Sequence, residues 1–348
     1  MTPDTSTRFK VRCPHCQQMF IVQAPTTAPS PAAEAPEKPA APPVAEPRPE
    51  IKPPAPAPVV EDEPPLSPEE EDFRERIINL ILLREFQLPM LPHVALKVIR
   101  LTSDAKSGMQ DLAKVILTDQ TIASRIIQIS NSPVYAGTQE IANITQALVR
   151  LGQTEIKNLM LAISLQTKIF KSKLYNRLAL RYWERAVGTA FASRVIATAQ
   201  RTDKEEAFLC GLMHNVGKMI ALTIVEQVQK EMPPTFHPSQ QMIISILNQY
   251  HTDVGELTAI KWTLPKSVGL TIRYYHRLYD MQGQINTVPV VALGEVFCQQ
   301  AGIGVDQPAT LNPAESDAAK ILHLNDTVCE DYYQRFIKFY EHAKGEFL

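Results

Sequence analysis

The chain is organised around nine residues, Cys210-Gly211-Leu212-Met213-His214-Asn215-Val216-Gly217-Lys218. They lie in a long apolar region with helical periodicity, and they place a histidine and an amide side by side between two glycines. A histidine nitrogen can ligate a metal, but Asn215 offers only a neutral carbonyl oxygen where hard divalent cations prefer anionic oxygen. The stretch therefore has the outline of a metal-binding motif without the charge that such a motif needs.

Length and composition exclude several classes of protein. The 348 residues are enough for one large or two medium domains, and a hydrophobic content of 45% is ample for a core. The formal net charge of -2 gives no general attraction to DNA, RNA or acidic lipid. The N-terminus lacks the apolar run of a signal peptide, and no segment reaches the ~18 uninterrupted apolar residues of a membrane span. We therefore expect no association with a membrane.

The cysteines indicate a reducing compartment. There are five, and Cys210, Cys298 and Cys329 fall in helix-patterned segments. An odd number distributed in this way fits the cytosol better than a disulfide framework. The sequence thus predicts a cytoplasmic protein.

Residues 1–24 resemble half of a zinc ribbon. Alternating apolar residues flank a Cys-x-x-Cys turn formed by Cys13 and Cys16, which predicts a β-hairpin knuckle. Such fingers need four ligands, the second Cys-x-x-Cys is missing, and His15 between the cysteines is poorly placed for the same ion. Three alternatives remain: two chains pool their cysteine pairs around zinc, His15 ligates in strained geometry, or no metal binds.

Residues 25–68 form a different kind of segment. Sixteen of the 28 prolines lie here, mixed with Ala, Glu and Thr. Because proline fixes φ and removes a donor, neither helix nor sheet can propagate. The composition predicts a disordered, extended linker, with a Pro-rich ligand as the weaker alternative.

The remainder of the chain is predicted to be all-α, because it shows helical periodicity and no convincing period-2 alternation. A connecting helix is expected in 69–87, beginning with four acidic residues, then a main domain in 88–283 and a helical extension in 284–348. The predicted helices are 93–101, 109–117, 120–130, 144–151, 154–163, 178–200, one from 203 leading into the His214 stretch, 240–250, 251–262, 266–279, 288–300, and two in 313–344.

Six short motifs in order resemble the HDOD domain, the "HD-related output domain". The resemblance covers about 200 residues and implies a fold similar to that of the HD and HD-GYP phosphohydrolases. It also implies a role in bacterial signalling without hydrolase activity. The motifs are Leu88-Pro-Met-Leu-Pro92, Leu112-Ala-x-x-Ile116, Asp119, Asn131-Ser132-Pro133, Ala147-x-x-x-Leu151-Gly152 and Gly211-Leu-Met-His-Asn-x-Gly217-Lys218.

The resemblance also implies a degenerate active site. An HD-type site would place an aspartate where Asn215 stands, a histidine near Arg185, and a histidine pair of which Tyr275 occupies half. Glu295 is the nearest carboxylate to the position of a late aspartate, and no cofactor is expected in this domain. The degenerate site comprises Arg185, His214, Asn215, His251, Tyr275, His276 and Glu295.

Simpler roles for these residues are also consistent with the sequence. His214 on an apolar helix fits a hydrogen-bonded core histidine, and the glycines at 211 and 217 fit close helix packing. Arg185 and Lys218 could together attract an anion. We expect a non-catalytic signalling module that binds unidentified signalling proteins and could form homo-oligomers. The alternatives are a metal-dependent phosphohydrolase of nucleotides or cyclic nucleotides, and a nucleic-acid-binding regulator that uses the N-terminal finger.

Overall fold

The structure is a computed structural model that describes residues 8–12, 19–23, 66–91, 93–103, 107–135, 137–168, 172–281, 286–304 and 312–347. The chain divides into two units, Met1–Glu63 and Pro64–Leu348. In the first unit, strand β1 (Arg8–Arg12) pairs antiparallel with strand β2 (Met19–Gln23). Cys13, Cys16 and the predicted linker up to residue 65 lie outside the described residues.

The second unit is a bundle of α-helices, and its described residues include no strand, as the sequence predicts. Thirteen helices follow one another: α1 Pro68–Leu82, α2 His93–Ser103, α3 Met109–Ile116, α4 Gln120–Ser130, α5 Ile144–Lys168, α6 Asn176–Ala199, α7 Lys204–Met213, α8 Val216–Glu231, α9 Gln240–Lys261, α10 Lys266–Tyr274, α11 Thr287–Gln300, α12 Asp317–Ile321 and α13 Asp326–Phe347. Residues on both sides of position 283 belong to this one unit.

Helix α1 begins where composition changes from proline-rich to amphipathic. The side chain of Ser67 accepts a hydrogen bond from the Glu70 amide, and the Glu70 carboxylate accepts one from the Ser67 amide, which together form a capping box. Pro68 occupies the first turn, where its missing N–H costs nothing. The helix then buries Phe73, Ile77 and Ile81 against the core.

The structure corrects three predicted boundaries. The connecting helix expected in 69–87 ends at Leu82, and no helix follows it up to residue 87. Segments 240–250 and 251–262 are one continuous helix, α9, because neither proline nor glycine interrupts the chain at Tyr250 and His251. Helix α10 ends at Tyr274, earlier than predicted, and a short 3-10 turn at Leu278–Asp280 follows. By contrast, Gly152 separates two helical segments of α5 as expected, because its φ of 82° is accessible mainly to glycine.

Helix α6 lies at the centre of the bundle and packs against α7, α11 and α13. Its Trp183 is 2% exposed and donates an indole hydrogen bond to the carbonyl of Phe347, at 2.6 Å. The C-terminal end of α13 is thereby fixed to α6. The segment Lys204–Glu231 is long and apolar enough, by composition, to cross a membrane, but 89% of its most apolar window is buried inside the bundle. Such burial is what the core of a globular domain requires.

Candidate functional site

The central stretch forms a tight turn between two buried helices. Helix α7 ends at Met213, and α8 begins at Val216. The two residues between them, His214 and Asn215, are 1% and 2% exposed. The sequence placed His214 on a helix; the structure places it at the helix end, where its side chain reaches the neighbouring helices.

Two glycines bring the neighbouring helices close enough to form the site. A Cβ at Gly217 would lie 1.8 Å from the carbonyl oxygen of His251, so only glycine allows α8 to approach α9 here. A Cβ at Gly211 would lie 2.8 Å from the backbone of both Thr189 and Ala190 on α6. The packing role predicted for both glycines is confirmed.

His214 is held between a backbone carbonyl and a carboxylate. Its Nδ1 donates to the carbonyl oxygen of Gly211 at 2.6 Å. Its Nε2 lies 3.2 Å from Oε2 of Glu295 on α11, an ion-pair distance without hydrogen-bond geometry. Both ring nitrogens therefore face oxygens of the protein itself.

Arg185 on α6 occupies the other side of the same carboxylate. Its Nε lies 3.5 Å from Oε1 of Glu295, and its Nη1 donates to the backbone carbonyl of Glu295 at 3.4 Å. Thr189 donates its hydroxyl hydrogen to Oε2 at 3.2 Å. Burial alone would raise the pKa of Glu295, but Arg185, His214 and Lys218 together hold it well below its usual range. Glu295 is therefore a partly buried, ionised carboxylate compensated by Arg185 and Lys218.

Asn215 and Lys218 complete one wall of a small cavity of about 160 Å³. The Asn215 amide donates to the carbonyl of Tyr182 at 2.9 Å, and its Oδ1 is buried without a partner among the described residues. Lys218 places its ammonium 5.4 Å from the centre of the Tyr182 ring. Burial lowers the pKa of Lys218, and the charge of Glu295 opposes that shift. With Arg181 and Arg185, the cavity wall carries three cations against one carboxylate.

His251 and Tyr275 extend the cluster away from the cavity. The His251 Nδ1 donates to the carbonyl of Asn248 at 2.9 Å, so its Nε2 accepts the Tyr275 hydroxyl hydrogen, also at 2.9 Å. Burial, with the charges of Lys218 and His276, lowers the pKa of His251 to about 3. The Tyr275 ring stands 5.1 Å from that of His214 and 3.8 Å from that of His276. The seven predicted site residues are thus brought together, with Tyr275 between the histidines.

The residues present do not fit a divalent metal. The position beside His214 is a neutral amide, the single carboxylate of the seven residues already faces His214 Nε2, and a guanidinium contacts that same carboxylate. Within the described part of the chain, no group of three or more His, Cys, Asp or Glu side chains converges as a ligand set. A cation beside the carboxylate repels a second cation, so the site provides positive charge from the protein itself.

The sequence model of the HDOD domain matches residues 88–278. The chain belongs to the HDOD domain family. An uncharacterised protein of Treponema pallidum (strain Nichols) is 24% identical over 204 residues, which are 55% of this chain and 38% of the relative. The chain thus matches well under half the length of that relative.

Solved structures share the fold. An HDOD domain protein of unknown function from Geobacter sulfurreducens superposes with a TM-score of 0.62 at 18% identity, covering 79% of this chain and 99% of its own. A Shewanella amazonensis protein, described as a candidate metal-dependent phosphohydrolase, superposes with a TM-score of 0.61 at 17% identity. The match covers 80% of this chain and 99% of that protein. A candidate signal transduction protein from Marinobacter aquaeolei superposes with a TM-score of 0.58 at 20% identity, and the match covers 80% of this chain and 66% of that protein. These likenesses concern the fold.

The sequence missed two contributors to the HDOD site. Tyr182 supplies the carbonyl that holds Asn215 and the ring beneath Lys218, and Thr189 donates to Glu295. Both lie on α6 within four residues of Arg185, one turn away on either side. The available signal was their spacing, because residues three or four apart share a helix face.

Proposed function

We propose that the chain is a non-catalytic regulatory HDOD module of bacterial signalling that acts through contacts with partner proteins. The observation that carries this proposal is the position of Arg185, whose guanidinium contacts both the backbone and the side chain of Glu295. In this arrangement an arginine supplies the positive charge that a metal ion would supply in a hydrolase.

The chemistry of hydrolysis supports the same conclusion. A metal-dependent hydrolase lowers the pKa of a bound water so that hydroxide forms near neutral pH. Arginine remains protonated and cannot coordinate water as a Lewis acid. To admit a metal, Arg185 would have to leave a carboxylate that is 15% exposed, and Asn215 would still contribute no charge. The pocket therefore suits a structural ion pair better than a reaction centre.

Exposed apolar side chains support contacts with partners. Leu82, Leu83 and Ile260 are 66%, 65% and 67% exposed, and Leu82 and Ile260 line the same cleft between α1 and α9. Large apolar side chains grouped on a surface are typical of interaction sites. The partner belongs, in this proposal, to a signalling pathway.

The two alternatives have weaker support. A metal-dependent phosphohydrolase would match the description of one structural neighbour, but that likeness at 17% identity concerns the fold alone. A nucleic-acid-binding regulator would need a basic surface, whereas the formal net charge is -2.

A complementation experiment separates catalysis from partner binding. A His214→Gln substitution would disable a hydrolase, but it leaves the surface of the protein unchanged. We expect this variant to complement a deletion strain as well as the wild-type protein does. The variant Leu82→Asp/Ile260→Asp changes only exposed side chains and should fail to complement that strain at equal protein level. The reverse pattern would contradict the proposal.

For the N-terminal segment we propose a zinc site shared by two chains. The support is the sequence of the turn, which offers two good ligands per chain at Cys13 and Cys16, and the pairing of Arg12 with Met19 on either side of it. Elemental analysis of the full chain should give about one zinc per two chains, lost in Cys13→Ser. A stable monomer holding one zinc tightly would contradict the pooling of ligands.

A further inference from the structure

A second and larger cavity lies between α5, α6, α7 and α13. Its volume is about 570 Å³, and it shares no lining residue with the cavity beside His214. Pockets that bind small molecules typically measure ~300–1,000 Å³. The size therefore fits a compact organic ligand.

The floor of this cavity is a buried network centred on Arg194. The guanidinium donates from Nη1 to Glu155 at 2.9 Å and to the Tyr135 hydroxyl at 2.8 Å, and from Nη2 to Glu205 at 2.7 Å and 2.9 Å. Tyr135 donates its hydroxyl hydrogen to Glu155. Burial and the neighbouring Glu155 raise the pKa of Glu205 to about 7, although Arg194 opposes the shift. The floor is therefore hydrogen-bonded within itself, with one guanidinium facing two carboxyl groups.

The rim carries cations that the floor does not neutralise. Arg150 and Lys204 both line the cavity. Arg150 has no ion-pair partner among the described residues, and its Nη2 donates to the carbonyl of Gln139. Lys204 is exposed at the start of α7, and no carboxylate in the described chain pairs with it. Arg335 also lines the rim, but Asp331 pairs with it at 2.8 Å.

One wall of the cavity is apolar. Leu151, Val195, Ala199 and Phe339 line it, and the Phe339 ring stands 5.3 Å from the buried ring of Phe191, which fixes its position. A flat apolar group could pack against this wall. The cavity thus combines an apolar wall, a polar floor that is hydrogen-bonded within itself, and two cations at its edge without an ion-pair partner among the described residues.

We propose that this cavity binds a small organic anion with a flat apolar body. The anionic group contacts Arg150 and Lys204, and the body packs against Phe339 and Ala199. The two cations favour a negatively charged ligand, and the apolar wall favours a ligand that has an apolar body. Such a ligand would contact α5, α6, α7 and α13 together.

The test uses 8-anilinonaphthalene-1-sulfonate, an aromatic sulfonate, as the probe in fluorescence and calorimetric titrations of the full chain. We expect one saturable site per chain. Lys204→Gln and Arg150→Gln should each raise Kd about tenfold, because each removes a charge-assisted contact. Ala199→Phe should abolish saturable binding, because the larger side chain would occupy the space beside the apolar wall.

Lys338→Gln is the matched control, because Lys338 is an exposed cation on α13 that does not line the cavity. Its Kd should equal that of the wild type. Lys204 lies at a helix N-terminus, where a cation is unfavourable, so its replacement should not destabilise the fold. If the wild type shows no saturable site, or if Lys204→Gln and Ala199→Phe bind as the wild type does, the proposal is wrong.

Discussion

Arg185 Nε lies 3.5 Å from Glu295 Oε1, across 110 positions of sequence, and the same carboxylate faces His214 at 3.2 Å. The arginine comes from the central helix α6, and the glutamate comes from α11. The contact therefore joins two helices that are far apart in sequence. Its consequence is a site with its own compensating charge.

The first prediction concerns the stability that this ion pair supplies. Arg185→Met should lower the free energy of unfolding by about 3 kcal/mol, because removing one partner of a buried pair leaves the other charge uncompensated. Arg185→Met/Glu295→Gln should recover much of that loss. Urea denaturation of the wild type, both single variants and the double variant measures the coupling.

The control for this cycle is an exposed pair on α1. Arg76 and Asp72 lie 2.9 Å apart, but both side chains are about half exposed. Solvent screens such pairs, so Arg76→Met should leave the denaturation midpoint unchanged. If Arg185→Met and Arg76→Met lowered the free energy of unfolding equally, burial would not determine how much each ion pair stabilises the fold.

The second prediction concerns the close approach of α8 and α9. Gly217→Ala should prevent the native packing, because its Cβ would lie 1.8 Å from the His251 carbonyl oxygen. Gly345→Ala on α13 is the matched control, since nothing lies within 4 Å of its Cβ. Alanine should stabilise that helix by up to ~1 kcal/mol. Thermal melts followed by circular dichroism compare the two variants; a native-like Gly217→Ala would contradict the structure.

The third prediction concerns pH. The pKa of His251 in the folded protein is about 3, against an ordinary value of 6.5, because the ring is buried and lies near the charge of Lys218. Between these values the unfolded chain binds a proton that the folded chain does not. Stability supplied by neutral His251 is therefore complete above pH 6.5 and is lost as pH falls toward 3, by at most ~1.4 kcal/mol per pH unit.

Comparison with His251→Gln isolates this contribution, since all other titrating groups are common to both proteins. Glutamine can still accept the Tyr275 hydroxyl hydrogen, but it does not titrate. Urea denaturation between pH 4.5 and 7.5 should show the wild type losing stability faster than the variant as pH falls. Parallel curves would mean that His251 does not remain neutral in the folded protein.

Local sequence signals were enough to predict the helical architecture. The acidic run at the start of α1 lies in its first turn, and Gly152 combines a positive φ with the end of a helical segment. Both signals depend on residues near in sequence. The predicted break at Tyr250 failed because the apolar pattern changed there without a proline or glycine to end the helix. Periodicity alone does not fix helix boundaries.

The contacts of the site could not be predicted in the same way. The sequence named the seven residues through a resemblance, but no local pattern shows that Arg185 meets Glu295 or that Tyr275 bonds to His251. Arg194 and Glu155 went unnoticed, although a charged residue within the buried faces of α5 and α6 was a usable signal. Long-range pairing depends on how the helices pack, which spacing does not encode.

The fourth prediction concerns Asn215→Asp, which places a carboxylate beside His214, as in the HD-type site that the sequence resembles. It should give no hydrolase activity, because Arg185 and Tyr275 remain in the site. The change also places an oxygen against the Tyr182 carbonyl in place of the present 2.9 Å hydrogen bond. We expect a loss of about 1–3 kcal/mol in stability. Asn215→Ala, which loses the hydrogen-bond donor without adding a charge, is the control in thermal melts. Hydrolase activity that appears in Asn215→Asp but not in the wild type would contradict the account.

The most direct test of the central claim is turnover by the wild-type chain. The purified protein is assayed with manganese, iron, nickel or magnesium against cyclic and linear nucleotides and simple phosphate esters. The account predicts no turnover above that of His214→Ala with any metal. Turnover by the wild type that disappears in a folded His214→Ala variant would contradict it.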